Sequence, residues 1–286
     1  MSAHQGICRP ETEIRGSVIL CTKAANYKSD RDTSTMKFLI VGDSHTRYFG
    51  ISNQLRVLND QLRGINCIPK VIHGATVTGV GKLTSTLNVG SDIPKWIDSA
   101  QPDFLVLNLG QVDVELGIPF RKYVQNVDEA MDARLDYFIE SYLKYIDSLN
   151  IPASRIIVKG INLPVLCYDR SKAIKYITRI VTERFTDSAE DESRREETIK
   201  KLTQTYASDV VRSDLARRFN EQLQSACQEH GYGYFDINGE LADQATGIIN
   251  PRFIPAGFDH HIIDSLEVRT IHWNALLEVA RKAYWV

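Results

Sequence analysis

Cysteine is scarce and scattered in this chain. There are five in 286 residues (Cys8, Cys21, Cys67, Cys167 and Cys227), with no Cys-x-x-Cys pair. An odd, dispersed set argues against a disulfide framework or a thiolate zinc site, and for reduced thiols in a cytoplasmic protein. Proline and glycine are sparse as well, at 9 and 17 residues, which excludes a collagen-like or linker-dominated chain. No apolar run approaches the roughly 20 residues that a membrane helix needs. The opening residues, MSAHQGICRPETEIRG, hold no apolar stretch of signal-peptide type. An excess of one charge is also lacking. Lys plus Arg number 34 against 36 Asp plus Glu, a net charge of −2, so there is no electrostatic footprint for nucleic acid. The expectation is a cytoplasmic protein with neither a nucleic-acid nor a membrane partner.

What is present is ordinary globular material, 43% hydrophobic and 24% charged, in a length that suits one large domain or two small ones. Residues 1–35 are polar and irregular, with one apolar stretch, Val18-Ile19-Leu20. They read as an N-terminal extension, either a loose arm or an added edge strand. A sharper pattern begins at Met36 and runs through residues 36–286. Lys37-Phe38-Leu39-Ile40-Val41 is a short apolar run ending in Gly42, the signature of a buried strand. Further strand candidates are Ile68 to His73, Phe104 to Leu109, Ile156-Ile157-Val158 and Tyr232 to Ile237. Between them lie segments with helical spacing over 46–62, 127–149 and 208–229, and a closing helix over 264–283. Strands alternating with long helices predict a three-layer α/β/α sandwich around a five-stranded, mainly parallel sheet. In such sheets ligands bind beyond the carboxyl ends of the strands. Polar residues just after Val41, His73 and Leu109 are therefore site candidates on geometry alone.

Residues 162–206 are too long for a simple connection between a strand and its helix. They include a charged stretch from Asp187 to Lys201. Two readings remain open, a solvated helix and an insertion that caps the site.

Gly42-Asp43-Ser44-His45 follows the first strand directly. A serine at a strand-to-helix turn carries its hydroxyl near a helix N-terminus, where backbone N–H groups face developing negative charge. That suits a nucleophile; equally, Asp43 or Ser44 could simply cap the helix. Three more blocks stand at the right places: His73-Gly74-Ala75-Thr76-Val77-Thr78-Gly79, then Gly110-Gln111-Val112-Asp113, and finally Asp259-His260-His261. A phosphate loop is excluded because Val80 stands where its lysine belongs, and Gly42-Asp43-Ser44 does not begin a dinucleotide fingerprint. No His, Cys and carboxylate cluster has zinc spacing, and the Asp259-His260-His261 trio is too local to close a site by itself.

These four blocks, in this order over about 250 residues, resemble the SGNH (GDSL) hydrolase family, serine esterases and acyl hydrolases on a flavodoxin-like fold. The resemblance implies Ser44 as nucleophile and, through its N–H, first oxyanion donor. It implies Gly79 as the second donor. The third block of the family has an Asn donor where this chain has Val112, and Gln111 stands beside it as a substitute amide. The family's last block is Asp-x-x-His. Here the spacing is shorter, and the reading takes His261 as base and Asp259 as its orienter, with His260 in reserve. His45, Gln111 and His260 are expected to line the site, and His272 to pack on the closing helix. No cofactor and no metal are implied.

The chemistry expected is acyl transfer. A serine hydroxyl needs a base to take its proton, a neutral imidazole supplies one, and a carboxylate fixes the tautomer and stabilises the imidazolium. The expected substrate is a glycan or small-molecule ester that loses a small acyl group. Two rivals stay open: an acyltransferase using the same three residues, and a non-catalytic binding protein on the same fold.

Overall fold

Five strands make one sheet, each cut from an apolar run. They are β1 (Met36–Gly42), β2 (Ile65–Val71), β3 (Phe104–Asn108), β4 (Ile156–Lys159) and β5 (Gly233–Phe235). All neighbours are parallel, in the order β2-β1-β3-β4-β5, which is the flavodoxin-like arrangement. The register pairs Phe38 with Phe104 and Gly42 with Asn108. The computed structural model describes residues 35–284 apart from Leu83, Cys167 and Phe258. The expected arm with Val18-Ile19-Leu20, and Cys8 and Cys21 with it, lies outside the described residues.

β1, β3 and β4 are continuous apolar runs because both of their faces are covered. β2 is an edge strand, and it carries Pro69 opposite Ile40. A residue without an N–H is tolerated there because the outer side of the strand has no ladder to complete.

The helices are α1 (Asn53–Leu58), α2 (Val77–Val80), α3 (Val89–Ala100), α4 (Met131–Asp147), α5 (Arg170–Val181), α6 (Ala189–Thr205), α7 (Asp209–His230), α8 (Asn238–Leu241) and α9 (Leu266–Tyr284). Strand alternation decides which helices each face receives. Leu39, Val41, Leu105, Leu107 and Val158 meet α2, α3, α4 and α7 through residues such as Ile93, Tyr142 and Phe219. Phe38, Ile40, Val106 and Ile157 point the other way, into a core with Phe49, Leu55, Trp273 and Leu277. Phe38 stacks on Phe104 at 5.4 Å and meets the Trp273 ring edge-on at 5.7 Å. Among the described residues no helix is long and apolar enough to cross a membrane.

Two segments differ from the sequence reading. The single helix expected over 46–62 is a 3₁₀ turn, Ser44–Phe49, followed by α1. Gly50 turns extended between them, and Ser52 starts α1 afresh by accepting the Leu55 N–H at 3.1 Å. The helix expected from 127 begins at Met131. It is preceded by two wide π-type turns, Asp113–Gly117 and Phe120–Val124. Within 162–206, α5 and α6 pack together over a small third core, in which Ile174, Ile177, Val181 and Leu202 meet Tyr123 from the turns before α4. The charged stretch lies on α6, which buries only Thr198 and Leu202.

Candidate active site

The first strand brings its terminal glycine hard against β3. A Cβ on Gly42 would stand 2.0 Å from the Asn108 carbonyl oxygen, so no larger residue fits without moving the strands apart. The Asp43 N–H then donates to that same carbonyl at 3.1 Å. Its carboxylate caps the 3₁₀ turn, where Oδ1 accepts the His45 N–H at 2.9 Å and meets His45 Nδ1 at 3.0 Å. Ser44 is left as the first residue of the turn, between β1 and β3. This is the point where the sheet order reverses and where ligands bind in open parallel sheets.

The late loop comes to the same point from 217 residues away. His261 Nε2 lies 2.6 Å from Ser44 Oγ, and His261 Nδ1 lies 2.9 Å from Asp259 Oδ2. The other Asp259 oxygen accepts the His260 N–H at 2.6 Å and the Tyr176 hydroxyl at 3.1 Å. That tyrosine, on α5, also bonds His260 Nδ1. A strut holds the loop to the serine turn, because the Tyr48 hydroxyl donates to the Ile262 carbonyl at 2.7 Å.

Burial sets the charges here. Desolvation, with the charge of His45 adding to it, lowers His261 to about 4 against the pull of Asp259. Desolvation likewise takes His260 down to about 3. For Asp259 partial burial works upward, but the hydrogen bond and charge of His261 and the charge of His260 hold it at about 2. The pair at neutral pH is therefore a carboxylate and a neutral imidazole, which leaves Nε2 as acceptor for the Ser44 hydroxyl proton.

Ser44, His260 and His261 open on a cleft of about 1190 Å³. His73 and Gly74 form part of its rim. One wall is apolar, built from Val112, Leu116, Phe120 and Val124 together with Ile180 and Val181 at the end of α5.

Two sequence expectations are corrected. Gly79 does not offer a free N–H: it donates to Thr76 Oγ1 at 2.9 Å, capping α2. Gly74 stands at the cleft instead, with φ of +74°. Among the described residues neither its N–H nor that of Ser44 has a hydrogen-bond partner. Gln111 is also not at the cleft. Its amide makes a closed pair with Asn162, Nε2 donating to the carbonyl at 3.1 Å and Oε1 accepting the N–H at 2.7 Å. It fastens the exit of β4, where the buried Lys159 also bonds the Asn162 side chain at 2.8 Å.

The remaining candidates fall as follows. Val112 is in the cleft wall. Asp113 is buried and accepts the Val77 N–H at 2.8 Å and the Thr78 hydroxyl at 3.2 Å. Burial pushes it to about 7 despite those donors, and its work is to pin the loop after β2. His45 packs against His261 at 4.5 Å between ring centres. His272 is fully buried on α9, with Nδ1 2.8 Å from the Val268 carbonyl and its ring stacked on Tyr48. Tyr176 had no signal in the sequence, since nothing in a helical pattern tells which tyrosine will reach a loop 83 residues onward. Gly74 had one: it is the glycine immediately beyond the strand expected over Ile68 to His73, and three residues beyond the observed end of β2 at Val71.

No protein-family model matches the sequence, and no curated protein matches it. Among solved structures, it is similar to a GDSL-like lipase from Bacteroides thetaiotaomicron (12% identity, 88% of this chain and 91% of that one, TM-score 0.48). It is also similar to an acetylxylan esterase from Geobacillus stearothermophilus (13%, 86% and 94%, TM-score 0.46). A third is a carbohydrate acetylesterase from Sinorhizobium meliloti (11%, 86% and 99%, TM-score 0.46). These are likenesses at low identity, and the chemistry of this site is read from its own geometry.

Proposed function

We propose that this chain is a serine esterase of SGNH type that removes a small acyl group from a glycan or small-molecule ester. One observation carries the reading: the relay from Ser44 Oγ to His261 Nε2 at 2.6 Å and from His261 Nδ1 to Asp259 at 2.9 Å, at the edge of an open cleft. His261 takes the Ser44 proton as the oxygen attacks the ester carbonyl carbon. The C–O π electrons move to the carbonyl oxygen, and the Ser44 and Gly74 N–H groups receive that oxyanion. His261 then returns the proton to the departing alcohol. Asp259 holds the imidazole in the Nδ1–H tautomer and stabilises its charged form. Water repeats the sequence on the acyl-enzyme and frees the acid. With Val112 in the third block the oxyanion has two donors, and one donor is commonly worth about 10²–10³ in turnover.

The test is labelling with a fluorophosphonate, mapped by mass spectrometry, on the full chain and on Ser44→Ala. A single adduct on Ser44 and a fall of about a millionfold in aryl-ester kcat for the variant are expected. Absence of labelling in the unaltered chain, or equal hydrolysis by the variant, would overturn the reading.

A further inference from the structure

The relay uses one of three imidazoles that stand together. His45, on the turn after β1, joins His260 and His261 from the late loop. Ring centres are 4.5 Å apart for His45 and His261, 5.5 Å for His45 and His260, and 3.8 Å for the adjacent pair. A ring nitrogen of each lies within 4.8 Å of the others. The trio in the late loop is too local to make a site alone; the fold supplies the missing, chain-distant ligand.

Each ring is anchored through Nδ1. His45 Nδ1 faces Asp43 at 3.0 Å, His261 Nδ1 faces Asp259 at 2.9 Å, and His260 Nδ1 bonds the Tyr176 hydroxyl, which itself donates to Asp259. An imidazole that gives its Nδ1–H to an acceptor keeps its lone pair on Nε2. A carboxylate or other acceptor behind the ring is how metal-binding histidines are oriented. Three such rings, with a ring nitrogen of each within 4.8 Å of the others and an open cleft beside two of them, make a three-imidazole set with room for a fourth ligand.

We propose that His45, His260 and His261 bind a divalent transition-metal ion of the zinc type, and that the bound ion silences the serine. Zinc holds its nitrogens at about 2.0–2.1 Å, so the ligand atoms of a tetrahedral site stand about 3.4 Å apart. Small ring rotations close the present spacing. Water fills the fourth position. His261 has one Nε2 lone pair, which cannot serve the metal and the Ser44 proton together. Ligation therefore breaks the Ser44 hydrogen bond and removes the base. Metal binding stands on the ring geometry alone, whereas the silencing rests on the esterase reading.

The experiment uses the full chain stripped with EDTA, titrated with Zn²⁺ by calorimetry and with Co²⁺ by its visible spectrum. Ser44→Ala keeps every ligand and removes the competitor, so it is expected to bind at least as tightly as the unaltered chain. His260→Gln is expected to abolish binding. Asp43→Asn, which keeps all three rings, is expected to weaken it by about 10–100-fold. Zn²⁺ is expected to slow fluorophosphonate labelling of Ser44 in step with occupancy, and EDTA to restore it. No binding by Ser44→Ala, or binding unchanged in His260→Gln, overturns the site. Binding through the three rings without slower labelling overturns the silencing. A chain that never takes the label fails as an esterase, while the titrations still decide the metal.

Discussion

At the scale of single residues, the site is a set of groups whose ordinary acidities are displaced by being taken out of water. His261 is the case with a consequence for rate. Its imidazole is held at about 4, below the ordinary 6.5, first by burial and then by the neighbouring charge of His45, with Asp259 pulling the other way. A base works only while unprotonated. The protonated fraction rises as pH falls, so the acid limb of kcat/KM reports this group in the free protein. The limb is expected near pH 4, with no loss of activity on going from pH 7 to pH 5.5. A pH–rate profile with a short aryl ester checks it, and a limb near 6.5 would show that the ring is better solvated than its packing indicates. Ser44 and His261 were legible in the sequence because each stands beside a marker: a glycine-terminated strand for one, a carboxylate two residues upstream for the other. Gly79 misled because its spacing suits a donor while Thr76, three residues earlier, has already claimed the N–H. Whether an amide is free is a matter of local capping that a motif does not record.

At the scale of elements, placement of Ser44, the proposed nucleophile, depends on how β1 ends. Gly42 lies against the β3 backbone with no room for a methyl group. Gly42→Ala must push Asn108 and its strand away, at a cost of roughly 1–3 kcal/mol for overpacking. The displaced turn carries Ser44 with it. A lower midpoint in urea together with a slower labelling rate is expected; a shifted midpoint with unchanged labelling would mean that the turn is positioned by Asp43 rather than by the strand. The central strands were legible because burial on both faces leaves an unbroken apolar run. The break at Gly50 was not, because Phe49, Ile51 and Leu55 keep a helix-like spacing across it while Ser52 opens a new helix.

At the scale of the whole molecule, the parts differ in how firmly they are held. The sheet sits between two extensive cores, whereas α5 and α6 rest on a few side chains such as Ile177 and Leu202. Regions with little buried apolar contact open at lower free energy than the rest. Backbone amides of α5 and α6 are expected to exchange with deuterium roughly tenfold faster or more than those of β1, β3 and β4. Equal protection would make this pair of helices part of the same cooperative unit as the sheet. Because α5 supplies both a wall of the cleft and the Tyr176 contact to Asp259, its opening loosens the relay without disturbing the serine turn. The pair could be recognised as extra length in the sequence, but its docking could not, since it rests on side chains from segments far apart in the chain. The 217-residue gap between hydroxyl and imidazole also has a meaning in time. A nascent polypeptide emerges from its N-terminus, so the Ser44 turn is synthesised 217 residues before the imidazole that it faces. A fragment cut between the two positions carries the hydroxyl but not the imidazole, so the proposed reactivity requires that both segments stay in one folded body.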